Sequence, residues 1–196
     1  MKSDLNMIIV GVGGQGTLLS SKILGQLAIL NDLDVKLSEV HGMAQRGGSV
    51  ETHIRIADHV YSPLVEPGTA DIVLGFEPME AARWAHYLSR DGIIITNSSR
   101  IWPMPVVTGA VAYPENLYKK FEENSIRYKS IDAQQLADSV GSPRSTNIVL
   151  LGYISSLLPF SYEDWLKAIE LCVPAKTLEA NIKAFDLGKN AYLVKE

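Results

Sequence analysis

Met7, Ile8, Ile9 and Val10 form a short apolar run, largely β-branched, that ends in glycines, the pattern of a strand buried on both faces. After Gly16, apolar Leu18, Leu19, Ile23, Leu27 and Leu30 recur at helical spacing, with Ser20, Ser21, Lys22 and Gln26 between them. That spacing predicts an amphipathic helix ending near Asn31 and Asp32. Val35 to Glu39 predicts a second strand. The chain thus opens as strand, glycine-rich turn, helix, strand, the first unit of a doubly wound sheet.

The rhythm then breaks. Where a crossover helix is due, His41 to Ser49 is rich in glycine and has no apolar period. Val50, Thr52, Ile54 and Ile56 next alternate with Glu51, His53 and Arg55, a half-buried strand, and Val60 to Val65 is expected as its hairpin partner, closed by Pro67-Gly68. Beyond it the α/β pattern resumes. Strands are expected at Asp71 to Gly75, Gly92 to Thr96 and Arg127 to Ile131, and helices at Pro78 to Leu88 and Pro114 to Asn124. Ile101 to Val107 carries Pro103 and Pro105, so it reads as an edge strand or extended loop. Asp132 to Ser139 is a short helix with Asp132 as its N-cap.

The last third reads as helix throughout. One segment starts at Thr146 or Asn147 and stops at Pro159, a second is capped by Ser161 and Asp164, and a third runs from Pro174 through Leu187. No repeat or linker divides the chain. The expectation is one Rossmann-like α/β domain over residues 1–196. Its sheet is mostly parallel with flanking helices, with a β-hairpin insertion after the second strand and a helical C-terminal third.

Composition narrows the function by exclusion. The 196 residues carry 18 Lys plus Arg against 22 Asp plus Glu, a net charge of −4 that offers no basic face for nucleic acid. A single cysteine excludes a disulfide framework, a thiolate zinc site and an iron–sulfur cluster held by the chain's own four thiolates. No run of about 18 apolar residues is present for a membrane span, and nothing resembles a signal peptide, so a cytoplasmic location is expected. His53, His59 and His86 match no metal-ligand spacing, and they are expected at the surface or an interface; no metal site is expected. Cys172, between Leu171 and Val173, is expected to be an inert, buried thiol. Trp84, Trp102 and Trp165 read as core or interface residues.

Two motifs carry candidate chemistry. Gly11-Val-Gly13-Gly14-Gln15-Gly16 fits G-x-G-x-x-G between a strand and a helix, where backbone N–H groups and the helix N-terminus attract an anion. Glu39, ending the second strand, lies where a dinucleotide fold places its ribose-binding acid. The same glycines also serve plain helix–strand packing. The second motif packs Glu39, His41, Gln45 and Arg46 among Gly42, Gly47 and Gly48. Arg46 before two glycines can present a guanidinium and a backbone nest to phosphate or carboxylate, and His41 can transfer a proton near neutral pH. The alternative is a solvated turn. Farther on, Ser142-Pro-Arg144-Ser-Thr-Asn147 precedes a helix that Asn147 can cap, while Arg144 can reach an anion.

Together these motifs resemble the gamma-type subunit or domain of the 2-oxoacid:ferredoxin oxidoreductases, most closely the smaller, beta-type chain of the indolepyruvate enzymes. The resemblance rests on Gly-x-Gly-Gly-Gln-Gly, on Glu39 to Val50, on Ser142 to Gly152, and on Asn181, Phe185 and Gly188. It implies a subunit that is inactive alone, in a complex that decarboxylates arylpyruvates on thiamine diphosphate, reduces ferredoxin and releases an arylacetyl-CoA. With no magnesium–diphosphate signature and no Cys-x-x-Cys here, it also implies that thiamine diphosphate, magnesium and 4Fe-4S clusters sit on a larger alpha subunit. The complex would be a heterodimer or a dimer of heterodimers. CoA is the expected ligand of the Gly11 to Gly16 turn. His41 and Arg46 are expected to face a shared active site, or else to serve docking. Three further readings stay open: a stand-alone NAD(P)-dependent oxidoreductase, a nucleotide-binding regulatory module, and a gamma subunit of a pyruvate or 2-oxoglutarate enzyme. The insertion beside Glu39 weighs against NAD.

Overall fold

The computed structural model describes residues 4–41, 47–102 and 104–193, with the backbone only for His41, Met104 and Pro105. Its strands are β1 (Leu5–Val12), β2 (Asp34–His41), β3 (Ser49–Ala57), β4 (Ala70–Gly75), β5 (Leu88–Asn97) and β6 (Tyr128–Ile131), in one sheet of order β2-β3-β1-β4-β5-β6. Parallel pairing joins β1, β4, β5 and β6, whereas β3 runs antiparallel to both of its neighbours. The helices are α1 (Thr17–Leu30), α2 (Pro78–Arg83), α3 (Met104–Val107), α4 (Leu117–Glu123), α5 (Ala133–Ser139), α6 (Thr146–Ser155), α7 (Tyr162–Cys172) and α8 (Leu178–Leu193). The α/β class and the helical last third are as the sequence predicts, and the expected mostly parallel sheet holds loosely, with β1–β4, β4–β5 and β5–β6 parallel and both pairings of β3 antiparallel.

Period-two alternation decides which side each strand residue serves. Met7 and Ile9 of β1 join Ile23 and Leu24 of α1 and a run of α6, α7 and α8 residues in the larger core. Ile8 and Val10 face the other way, onto a smaller core with Ala81 of α2 and Phe121 of α4. Helix α6 is buried almost all round, from Asn147 to Ser155, which explains its lack of an amphipathic period. It lies against α8 at glycines. A Cβ on Gly188 would fall deep inside contact distance of the Val149 carbonyl oxygen, and one on Gly152 equally close to that of Phe185.

Four local expectations differ from the structure. Val60 to Val65 is not a strand. Both edges of β3 are already taken, by β2 and by β1, so the segment has no partner to pair with. It crosses the sheet instead, burying Val65 in the smaller core. Pro78 to Leu88 is a helix only to Arg83, followed by a 3₁₀ turn at Ala85–Tyr87, and β5 begins at Leu88. The stretch read as extended at Ile101 to Val107 holds the helical turn α3, in which Pro105 falls within the first turn, where a missing N–H costs nothing. The last helix opens with a 3₁₀ turn at Ala175–Thr177, and α8 extends six residues beyond Leu187 to Leu193. The caps at Asp132 and Ser161 are present: each accepts from the third residue on, Gln135 at 2.9 Å and Asp164 at 3.1 Å.

His53 corrects the surface expectation. It is 5% exposed, and its Nδ1 accepts the Val65 N–H at 3.1 Å. Burial holds its pKa below the ordinary imidazole value, so it stays neutral in the fold. Protonation therefore favours the unfolded chain. The stability His53 supports is complete above about pH 6.5, the ordinary value, and is lost as pH falls through the depressed one. The denaturant midpoint is expected to drop as pH falls below about 6.5, and His53→Gln to flatten that slope. An unchanged slope in the variant would assign the acid sensitivity to other groups.

Candidate functional site

The glycine-rich turn is built by its own side chain. Gln15 Oε1 accepts the Val12 N–H at 2.6 Å, and its Nε2 donates to the Phe76 carbonyl at 2.9 Å, tying the end of β1 to the end of β4. Gly11 leaves the space this needs: a Cβ there would lie 2.7 Å from Gln15 Oε1. Gly16, the residue before α1, has φ of 86°, a left-handed conformation that favours glycine. The Gly13 N–H donates to the Gly48 carbonyl at 2.8 Å, so the second motif closes onto the first through backbone alone. Helix α1 carries no side-chain cap, which leaves its first N–H groups open toward the turn.

Grooves flank the turn on two sides. One, of about 410 Å³, brings Gly13, Gly14 and Gly16 together with Glu39. Its geometry departs from a dinucleotide fold, because β3 separates β2 from β1 and moves Glu39 outward by one strand spacing, about 4.8 Å. Glu39 also accepts from the Thr52 hydroxyl at 3.0 Å. A negative carboxylate that is already engaged makes this groove the poorer one for an anion.

The other groove is a cleft of about 570 Å³ at the carboxyl ends of β1, β4 and β5, between Gly14 to Gly16, Phe76, Asn97 and the residues before and at the start of α6. Crevices outside the carboxyl ends of parallel strands are where α/β folds bind ligands. Arg100 and Arg144 both line it, and its described lining contains no carboxylate, imidazole or thiol. Neither guanidinium enters an ion pair among the described residues. Helix α6 also begins here without a side-chain cap. Two uncapped helix N-termini and two unpaired guanidiniums thus meet in one acid-free cleft of a chain whose net charge is −4.

Arg100 is held from behind. Its guanidinium lies over the Tyr113 ring, 4.9 Å from the centroid, and the Tyr113 hydroxyl donates to Glu77 Oε1 at 2.5 Å. Glu77 caps α2, its Oε2 accepting the N–H groups of Met79 and Glu80. Burial pushes the Glu77 carboxyl above the usual range, against the lowering effect of these donors. Burial likewise raises the Tyr113 phenol, helped by the carboxylate it faces, so the hydroxyl keeps its proton and its place under Arg100.

Of the residues singled out from sequence, Gly14, Gln15, Gly16, Arg144 and Asn147 meet at the cleft, and Glu39 joins the turn from the other groove. Gly11 and Gly13 serve the construction of the turn. Gln45, Arg46 and the His41 side chain lie outside the described residues, and Gly47 and Gly48 are described without them. Asn147 is not a cap: it lies inside α6, and its Nδ2 donates to the Gly16 carbonyl at 3.3 Å. Sequence reasoning missed Arg100, Tyr113 and Glu77. Arg100 had a usable signal, since it follows a predicted parallel strand by four residues at the binding end of the sheet. Glu77 and Tyr113 are 36 positions apart in sequence and had none.

Comparison with known proteins places these features in context. The family model described as Pyruvate ferredoxin/flavodoxin oxidoreductase matches residues 6–191. The chain is 40% identical over 193 residues to indolepyruvate oxidoreductase subunit IorB of Pyrococcus horikoshii, covering 96% of each chain. It is 28% identical to 2-oxoglutarate synthase subunit KorC of Methanothermobacter thermautotrophicus, over 92% of this chain and 91% of that one. Among solved structures, the keto/oxoacid ferredoxin oxidoreductase gamma subunit from Geobacter sulfurreducens superposes with a TM-score of 0.72 at 23% identity, covering 97% of this chain and 99% of the other. At that identity the structural likeness establishes the fold alone.

Proposed function

The chain belongs to the pyruvate ferredoxin/flavodoxin oxidoreductase family, and from that premise we propose that it is the smaller subunit of a 2-oxoacid:ferredoxin oxidoreductase acting on indolepyruvate and related arylpyruvates. Its part in the reaction is to bind and orient the CoA that accepts the acyl group. The acid-free cleft with Arg100 and Arg144 carries this reading, because it suits the phosphates of CoA in charge and hydrogen-bonding character. The cleft's described lining offers charge and hydrogen bonds to a ligand, with no carboxylate, imidazole or thiol among its side chains.

Thiamine diphosphate, magnesium and the 4Fe-4S clusters belong on a larger alpha partner in this proposal. A cluster needs thiolates, and this chain has only Cys172, whose thiol burial pushes upward. Among the described residues no group of three His, Cys, Asp or Glu side chains could hold a metal. The single thiol cannot hold a 4Fe-4S cluster. His41, Gln45 and Arg46 are proposed to face the partner's active site from this side, the complex being a heterodimer or a dimer of heterodimers in the cytoplasm. No described helix is long and apolar enough to cross a membrane.

Reconstitution tests the proposal. The isolated chain is expected to show no turnover. With the alpha subunit added, viologen-linked, CoA-dependent oxidation of indolepyruvate should appear. Activity in the complex unchanged by His41→Ala and Arg46→Ala would remove those residues from the shared site. Tighter binding of NADH than of CoA by the isolated chain would favour a dinucleotide enzyme instead.

A further inference from the structure

The pole of the sheet opposite the arginine cleft holds a further pocket. It has a volume of about 460 Å³ and lies where β1 and β4 begin, between Leu5, Ile72 and Ile93 on the sheet and Leu158 and Phe160 after α6. Volume and apolar wall both suit a small organic ligand. Its charged lining is of both signs. Asp71 is occupied, its Oδ2 accepting the Asn6 N–H at 2.8 Å, and Asp4 has a partner as well. Asp91 and Arg127 also line the pocket and are exposed, and neither enters an ion pair among the described residues. They are nevertheless neighbours: Arg127 Nη1 donates to the Asp91 carbonyl at 2.9 Å. The strand under them is irregular. Leu88 faces Ala70 and Ile93 faces Ile72, so β5 bulges across Asp91, and a Cβ on Gly92 would lie 2.6 Å from the Ala70 carbonyl oxygen. Bulges re-aim side chains beside binding sites.

We infer that this pocket binds a free α-amino acid with a large apolar side chain. Its ammonium lies at Asp91, its carboxylate at Arg127 and its side chain against the apolar wall. One carboxylate and one guanidinium, adjacent but not paired, match the two charges that such a molecule carries side by side. An apolar amine would leave Arg127 unmatched, and an apolar acid would leave Asp91 unmatched. The chain just past α1 and α6, at Asn31 and Leu157, closes the wall, and helix carboxyl ends favour the cationic group. The inference goes beyond the CoA cleft and does not depend on it. The proposed substrate supplies only the probe: tryptophan is indolepyruvate with an ammonium and a hydrogen in place of the keto oxygen.

The test is calorimetric titration of the full chain with L-tryptophan, tryptamine and indole-3-propionate, the last two each lacking one of the charges. Tryptophan is expected to bind, and each analogue at least about tenfold more weakly, as for one lost charge-assisted contact. Asp91→Asn should weaken tryptophan and tryptamine and leave indole-3-propionate unchanged. Arg127→Gln should weaken tryptophan and indole-3-propionate and leave tryptamine unchanged. Both side chains are exposed, so thermal midpoints should stay near the parent's. If Arg127→Gln fails to fold, Arg127→Lys, which keeps the charge without the fork, carries the comparison with a smaller loss. No binding of tryptophan at about 10 mM, or tryptamine binding as tightly as tryptophan, would overturn the inference. Loss of tryptophan binding in Arg100→Ala/Arg144→Ala would place the amino acid in the arginine cleft instead, and defeat it equally. So would binding by the isolated chain that vanishes in the reconstituted complex, which would make the pocket a subunit contact.

Discussion

Gly188→Ala is expected to destabilise the chain by about 3 kcal/mol or more, near the upper end of the usual cost of overpacking. For a chain of this size that corresponds to a fall of roughly 6–12 °C in the thermal midpoint. The reason is a backbone contact. Helices α6 and α8 approach so closely that a methyl group on Gly188 would overlap the Val149 carbonyl oxygen and crowd the Tyr153 N–H. Neither of those atoms can move without bending α6, which is buried along its length. The intrinsic gain from replacing a helical glycine, about 1 kcal/mol, offsets only part of the clash. Gly25→Ala is the control. It too lies inside a helix, but its added methyl would meet only the Leu37 Cδ1 at 3.3 Å, the end of a side chain that can shift. That variant should stay within about 1 kcal/mol of the parent. Equal midpoints for the two variants, by thermal or denaturant unfolding, would show that α6 and α8 are not locked at these glycines.

The double substitution Arg100→Ala/Arg144→Ala is expected to raise the KM for CoA at least about a hundredfold in the reconstituted complex. Each guanidinium supplies charge-assisted bonds worth roughly 1.5–3 kcal/mol, and kcat should change far less because these bonds form equally in the ground and transition states. The single variants should each cost roughly tenfold. Their effects need not add, since both groups hold one ligand. Lysine at either position should restore charge without the planar fork and recover only part of the loss. Raising the salt concentration should weaken parent binding and leave the double variant nearly indifferent. A double variant with parental KM would move the CoA site out of this cleft.

These outcomes bear on how far the residues could be read directly. The opening strand–turn–helix was legible because glycine punctuation and helical spacing are local signals. So were the caps at Asp132 and Ser161, where a short polar side chain meets an N–H three residues on. The last helices were legible in kind, though α6 had no polar face to betray its packing. His53 was misread because alternation marks which side of a strand a residue takes. It does not say whether that side is covered, and here the segment ending in Val65 covers it.

The site divides in the same way. Contiguous residues were enough to mark the glycine turn at Gly14 to Gly16, the candidacy of Arg144 and the family. Tertiary packing set β3 between β1 and β2 and so displaced Glu39 from a ribose-binding position. It alone brought Arg100 into the cleft that Arg144 lines, with Tyr113 and Glu77 behind Arg100. The physical reason is that spacing along a chain encodes which face a residue takes within its own element. Strand order, and with it the convergence of side chains from distant elements, is set by which sheet edges and helix faces can be buried together. The candidate site is a product of that convergence at the carboxyl ends of β1, β4 and β5.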